Sequence, residues 1–198
     1  SWPSGRNRIF LTPQGDRFVN EDAARDTLCK AIFKEGGKYW IVSNHVKYPS
    51  LDYQSKNLTI GEMIKLGQAF SGNTVEELAS KTGMNPKKLK AAIQSYNDAV
   101  TGKVKEDSFG FKKSTKDDQP MTEGPYYATP MVPAVHHTMG GIQINTNAQV
   151  LDKNGKVIPG LFAAGEVTGG VHGSNRVGGN GIADAMVYGR ISGQSALK

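Results

Sequence analysis

Gly165-Glu166-Val167-Thr168-Gly169-Gly170-Val171-His172-Gly173-Ser174-Asn175-Arg176-Val177-Gly178-Gly179-Asn180 is the stretch on which the fold of this chain turns. Glycine at 165, 169, 170, 173, 178 and 179 lets the backbone turn sharply and bring its N–H groups close to a ligand. The loop runs directly into a segment rich in small residues, Gly181 to Ala196, that reads as a helix. A helix N-terminus carries partial positive charge and free N–H groups. His172 and Arg176 lie in the loop, and His136-His137-Thr138-Met139-Gly140-Gly141 upstream repeats the pairing of cation and glycine. Residues 136–180 therefore predict a site for an anion or a cofactor.

Two common phosphate motifs are absent. No G-x-G-x-x-G follows a strand and opens a helix near the start of the chain, and no G-x-x-x-x-G-K-[ST] occurs. Cys29 is the single cysteine, which excludes an internal disulfide and a cysteine-rich metal site; no metal is expected. No run approaches the roughly 18 apolar residues of a membrane span, and no signal peptide is visible at Ser1. The net charge of +6 is spread over scattered lysines, and Lys112, Lys113 and Lys116 stand beside Asp117 and Asp118. That pattern fits a solvated mixed surface better than a nucleic-acid patch.

Upstream of the glycine-rich third the texture is α+β. Arg8–Leu11, a turn at Thr12–Asp16 and Arg17–Asn20 read as a hairpin. Residues 22–35 read as a helix started by Asp22 and stopped by Gly36-Gly37, and Tyr39–Val42 as a buried strand. Thr59 with Glu62 is a capping-box pattern ahead of Met63, Ile64, Leu66 and Phe70; Thr74 with Glu77 repeats it, with Gly83 as the stop. Asn85-Pro86 opens a helix whose Leu89, Ile93, Tyr96 and Val100 share one face, and Gly102 ends it. Residues 101–125 read as loop, and short β runs follow at 142–144, 150–151 and 161–164. The two helices between Thr74 and Val100, with Lys87, Lys88 and Lys90 opening the second, also match a DNA-binding helix-turn-helix. That alternative leaves the glycine-rich third without a role.

The motifs at 136–141, at 160–170 (Gly-Leu-Phe-Ala-Ala-Gly-Glu-Val-Thr-Gly-Gly) and at 172–180 closely resemble the C-terminal part of the soluble fumarate reductase/flavocytochrome c family, whose relatives include urocanate reductase. Gly15–Glu21 with Ala24-Arg25-Asp26 is similar to the segment bearing that family's active-site arginine. The resemblance is strong over 10–26 and 126–196 and weak between. It implies an FAD domain interrupted by a capping domain: residues 1–20 as a strand segment leaving the FAD domain, 21–125 as the cap, and 126–198 as the C-terminal strands and helix of the FAD domain. A dinucleotide-binding βαβ unit is expected upstream, so FAD is the cofactor of a longer parent and binds this chain weakly. A haem or FMN electron-donor domain is also expected upstream.

Site roles follow from the same resemblance. Arg25 is expected as the proton donor, with His136 and Arg176 gripping the carboxylate of an unsaturated acid. A guanidinium can hold a carboxylate through two parallel N–H bonds. His137, Gly165, Glu166, Asn180, Gly181 and Ile182 are expected around the flavin, Glu166 accepting from its hydroxyl-bearing chain and the helix start facing the ring. His172 stays open between structure and function. In fumarate-reducing members a glutamate and a second arginine relay protons to the acid; those places fall at Ser1 and Ser4 here. Fumarate, urocanate and other 2-enoates therefore all remain as substrates, and so does the reverse reaction on a steroid or other saturated substrate.

Overall fold

In the computed structural model, which describes residues 7–55, 57–112 and 118–197, contacts divide the chain into two units, one ending at Pro133 and one beginning at Ala134. The larger unit contains β1 (Arg8–Leu11), α1 (Arg25–Lys34), β2 (Tyr39–Asn44), β3 (Gln54–Ser55), β4 (Leu58–Thr59), α2 (Ile60–Lys65), β5 (Phe70–Gly72), α3 (Val75–Thr82), α4 (Pro86–Val100) and β6 (Tyr126–Met131). Its main sheet is antiparallel in the order β1-β2-β6-β5.

Side chains alternate along a strand, so one sheet can serve two cores. Ile9 and Leu11 pair with Val42 and Trp40 and face α3 and α4, where Leu78, Leu89, Ile93 and Tyr96 are buried. Phe10 pairs with Ile41 on the opposite face and packs with Tyr39 against Ile32 of α1. The predicted face of α4 is fully used: Leu89, Ile93, Tyr96 and Val100 are all buried. Because α3 and α4 turn their apolar faces to the sheet, their Gly83-linked pairing is accounted for by packing. Lys88, which a DNA reading would aim at phosphate, bonds Asp16 at 2.6 Å.

Helix boundaries follow local hydrogen bonding. The expected start of α1 at Asp22 moves to Arg25. Asn20 accounts for the delay: its side chain accepts from Asp22 N (2.9 Å) and its carbonyl from Ala23 N (3.0 Å), a turn that competes with the helix. The capping box at Thr59 and Glu62 is complete, with bonds of 3.1 and 2.7 Å. Yet α2 stops at Lys65, short of the expected run to Phe70. Gly67 adopts φ 69°, its N–H bonds Ile64 O, and Gln68 N bonds Met63 O, a Schellman stop that frees Phe70 for β5. At α3 the box is incomplete, since Glu77 reaches Asn73 N (2.8 Å) instead of the cap residue.

The expected hairpin at 8–20 is reduced to a single bridge between Leu11 and Arg17. Arg17 belongs instead to a buried polar cluster. Its Nε and Nη2 donate to the two oxygens of Glu21 at 3.0 and 2.6 Å, and its Nη1 to Asp107 at 2.5 Å. Glu21 also accepts from Phe10 N, while Asp107 Oδ1 accepts from Phe109 N and Phe111 N. The guanidinium lies 5.3 and 5.6 Å from the Phe109 and Phe111 ring centres. Burial alone would disfavour its charge; Glu21 and Asp107 more than offset that and hold the Arg17 pKa above its ordinary value.

The smaller unit contains β7 (Ile142–Gln143), β8 (Gln149–Leu151), β9 (Val157–Phe162), a 3-10 turn at Gly165–Val167, β10 (Thr168–Gly169) and α5 (Asn180–Ala196). β8 pairs antiparallel with β9, and β7 parallel with β10. β9 begins four residues before the expected run because Asp152 Oδ1 accepts from Asn154 N and Lys156 N, closing a turn directly onto Val157. No described helix is long and apolar enough to cross a membrane. Ser1, Ser4, Arg6, Lys113, Lys116 and Asp117 lie outside the described residues.

Candidate functional site

The glycines of the smaller unit divide into two sets. Gly141 and Gly169 lie where the backbones of the β7 and β10 segments touch: a Cβ at Gly141 would come within 2.3 Å of Val167 O, and one at Gly169 within 2.5 Å of Gly141 N. These two serve the crossing of main chains, whereas Gly140 and Gly170 border open space. Gly141→Ala is therefore expected to destabilise the chain by about 1–3 kcal/mol, the usual cost of overpacking. Gly140→Ala should stay within about 0.5 kcal/mol of the parent. Urea midpoints of the two variants check this, and equal midpoints would remove the distinction.

The crossing sets Thr138 against Glu166. Thr138 N donates to Glu166 Oε1 at 2.9 Å, and its hydroxyl to Glu166 O at 3.3 Å. That backbone bond, with the nearby charges of His137 and Arg176, holds the exposed Glu166 carboxyl below its ordinary range. It is an ionised acceptor at neutral pH.

Around the first turn of α5 the cations gather. Gly179 takes φ 88°, and no side chain caps the helix. A Cβ on Gly181 would sit 3.3 Å from Nε2 and Cδ2 of His137 and 3.5 Å from Cζ of Arg176, so both side chains flank this glycine. Arg176 is buried and donates through Nη1 to Val177 O at 3.1 Å. Its Nε, like Nδ1 of His137, is buried without a hydrogen-bond partner among the described residues. The His137 and His172 rings meet edge to face with centres 5.5 Å apart. An unpaired guanidinium N–H and an unpaired imidazole nitrogen beside an uncapped helix N-terminus are suited to a ligand carrying negative charge or acceptor atoms.

The other expected residues are placed as follows. Gly165, with φ 78°, is buried, and a Cβ there would meet Ala185 of α5 at 3.4 Å. Asn180, Ile182 and His136 are exposed. Arg25 belongs to the larger unit, where it is the first residue of α1 and exposed. The neighbouring Asp26 pairs with Lys30 at 3.8 Å. Within the smaller unit the structure thus groups His137, Glu166, Arg176 and Gly181. Thr138 and Asp184 were not singled out from sequence. Asp184 had a signal, being the one acidic residue among the small and apolar residues of 180–196. No three His, Cys, Asp or Glu side chains among the described residues are placed to hold a metal.

An α+β chain that collects cations and unpaired donors at the head of a glycine-introduced helix is, by class, an anion- or cofactor-binding protein. Comparison with known proteins narrows the class. A family model described as an FAD binding domain matches residues 5–182, and the chain belongs to that family. It is 43% identical, over 98% of its length, to the probable fumarate reductase Ifc3 of Shewanella frigidimarina, of which it covers 32%. It is 42% identical to the NADH:acrylate oxidoreductase of Vibrio harveyi over 96% of this chain and 18% of that protein. Its structure matches the open conformation of a flavocytochrome c3 fumarate reductase with TM-score 0.68 and 41% identity, covering 96% of this chain and 32% of that one. The chain spans about a third or less of the length of these relatives.

Proposed function

We propose that this chain is part of a longer FAD-dependent oxidoreductase that reduces the carbon–carbon double bond of an unsaturated carboxylate. The observation that carries the reading is the grouping of His137, Arg176 and Glu166 around the first turn of α5. The residues present fit a flavin: His137 beside the Cβ-free face of Gly181, at a helix N-terminus that no side chain caps, suits a planar ring edge rich in acceptors. Glu166, ionised and exposed, can accept hydroxyl hydrogen bonds from the cofactor's sugar-like chain. Gly165, Asn180 and Ile182 complete the contact strip on either side.

Reduced FAD, when bound, supplies a hydride to the β-carbon of the acid. His136 and Arg176 hold the substrate carboxylate, and their positive charge draws electron density out of the double bond and stabilises charge as it develops. Arg25 gives its proton to the α-carbon. The names of the relatives point to fumarate or acrylate as the acid, and urocanate belongs to the same chemical class. A haem or FMN domain elsewhere in the parent supplies the electrons.

The test uses the intact parent, reduced under anaerobic conditions and mixed with fumarate, acrylate and urocanate. At least one acid should reoxidise the flavin and appear as its saturated product; reoxidation by none would end the proposal. The 198-residue chain alone is expected to show no turnover and to lose added FAD on gel filtration. Stoichiometric yellow flavin retained by it would contradict that part.

A further inference from the structure

Asp184 is the side chain that α5 buries, with 7% exposure, while Ile182, Met186 and Val187 of the same helix stand exposed. A carboxylate taken out of water needs a partner for its charge. Here the neighbour is His172, whose Nε2 lies 3.4 Å from Asp184 Oδ2 and whose side chain is itself mostly buried. His172 in turn presses edge-on against His137, with ring planes at 76°. His137 flanks Gly181 at the head of the helix. Asp184 Oδ1, His172 Nε2 and His137 Nδ1 are buried without hydrogen-bond partners among the described residues, so this is a polar chain that packing has not closed.

Which nitrogen of an imidazole carries the proton is set by what its other nitrogen faces. A carboxylate facing Nε2 favours the Nε2–H form and leaves Nδ1 as an acceptor. We propose that Asp184 and His172 are positioning residues: Asp184 sets the tautomer and rotation of His172, and the His172 ring holds His137 in place, with its Nε2 edge beside Gly181 at the start of α5. The proposal rests on reading His137 as a neighbour of the flavin. It adds two residues to that site, neither of which needs to touch the cofactor.

The test is made on the 15N-labelled chain without flavin, so its outcome is independent of whether the parent reduces any acid. Long-range 1H–15N correlations report the tautomer of each imidazole, and ring-to-ring NOEs report the approach of His137 and His172. Asp184→Asn keeps the shape and removes the charge. In that variant the ratio of Nδ1–H to Nε2–H forms at His172 should rise at least about fivefold, equivalent to about 1 kcal/mol. The NOE between the two rings should weaken as well, and Asp184→Glu should restore part of both. An unchanged ratio and an unchanged NOE in Asp184→Asn, with the amide spectrum otherwise intact, overturn the proposal. Should Asp184→Asn fail to fold, His172→Gln is read through the His137 ring signals. Displacement or broadening of those signals supports the arrangement, and signals identical to the parent's overturn it.

Discussion

Arg25→Ala in the intact parent is expected to lower turnover by about 10²–10⁴-fold, the range associated with loss of a general acid, while FAD stays bound. A guanidinium is a very weak acid, and in the proposed mechanism it serves only because of what it protonates. Hydride addition to the β-carbon leaves a strongly basic carbanion at the α-carbon, which can draw a proton from so weak a donor. In the proposed mechanism, binding of the carboxylate to His136 and Arg176 would lower the energy of that carbanion without removing the need for the proton. The variants should therefore separate: Arg25→Ala acts mainly on kcat, whereas His136→Ala and Arg176→Met also raise KM for the acid. Steady-state kinetics with the absorbance of bound flavin as a control distinguish the two. Arg25→Ala with parental kcat would eliminate the proton-donor role. In this structure Arg25 is exposed, and its acidic neighbour Asp26 is paired with Lys30, so removal of the arginine should cost little stability.

Arg17→Met, by contrast, is a stability variant. It is expected to cost about 3–5 kcal/mol, the range for breaking a buried ion pair by removing one partner. The cause lies in what stays behind: the Glu21 and Asp107 carboxylates, each with a side chain 2% exposed, lose the cation that makes their burial tolerable. For a domain of this size the melting temperature should fall by roughly 10 °C or more. Arg17→Lys should recover only part of the loss, because one ammonium cannot replace the fork that bonds both Glu21 oxygens and Asp107 together. Adding Glu21→Leu to Arg17→Met should be less harmful than Arg17→Met alone, since it removes one orphaned charge. Full recovery is not expected, because Glu21 also accepts from Phe10 N and Asp107 from Phe109 N and Phe111 N. Thermal unfolding of the three variants decides the matter, and a shift of less than about 1 kcal/mol for Arg17→Met would show the network to be dispensable.

The contrast between these two arginines also marks how far the sequence could be read. Arg17 and Glu21 are four residues apart and lie within easy reach of each other, but Asp107 is 90 residues further on. Nothing local to Asp107, in a polar loop, announces that it will be buried against a guanidinium. The glycines make the same point in reverse. Gly141 and Gly169 read from sequence as openings for a ligand, and the structure uses them for the crossing of two backbones. Both uses require the missing Cβ, so only the fold separates them.

By itself the sequence determined what nearest-neighbour chemistry controls: the capping box at Thr59 and Glu62, the Asn85-Pro86 helix start, the buried face of Leu89, Ile93, Tyr96 and Val100, and the strand at Tyr39. Resemblance to a known family assigned Arg25, His136 and Arg176 to the substrate and His137, Gly165, Glu166, Asn180, Gly181 and Ile182 to the flavin; the structure draws His137, Glu166, Arg176 and Gly181 together. Each of those signals is closed within a few residues, or is written in motifs long enough to be specific. Tertiary structure decided the rest: the Schellman stop at Gly67, the burial of Arg17 with two carboxylates, and the placing of Asp184 behind His172. Burial and pairing across the chain are properties of packing, and no residue carries them until its distant neighbours arrive.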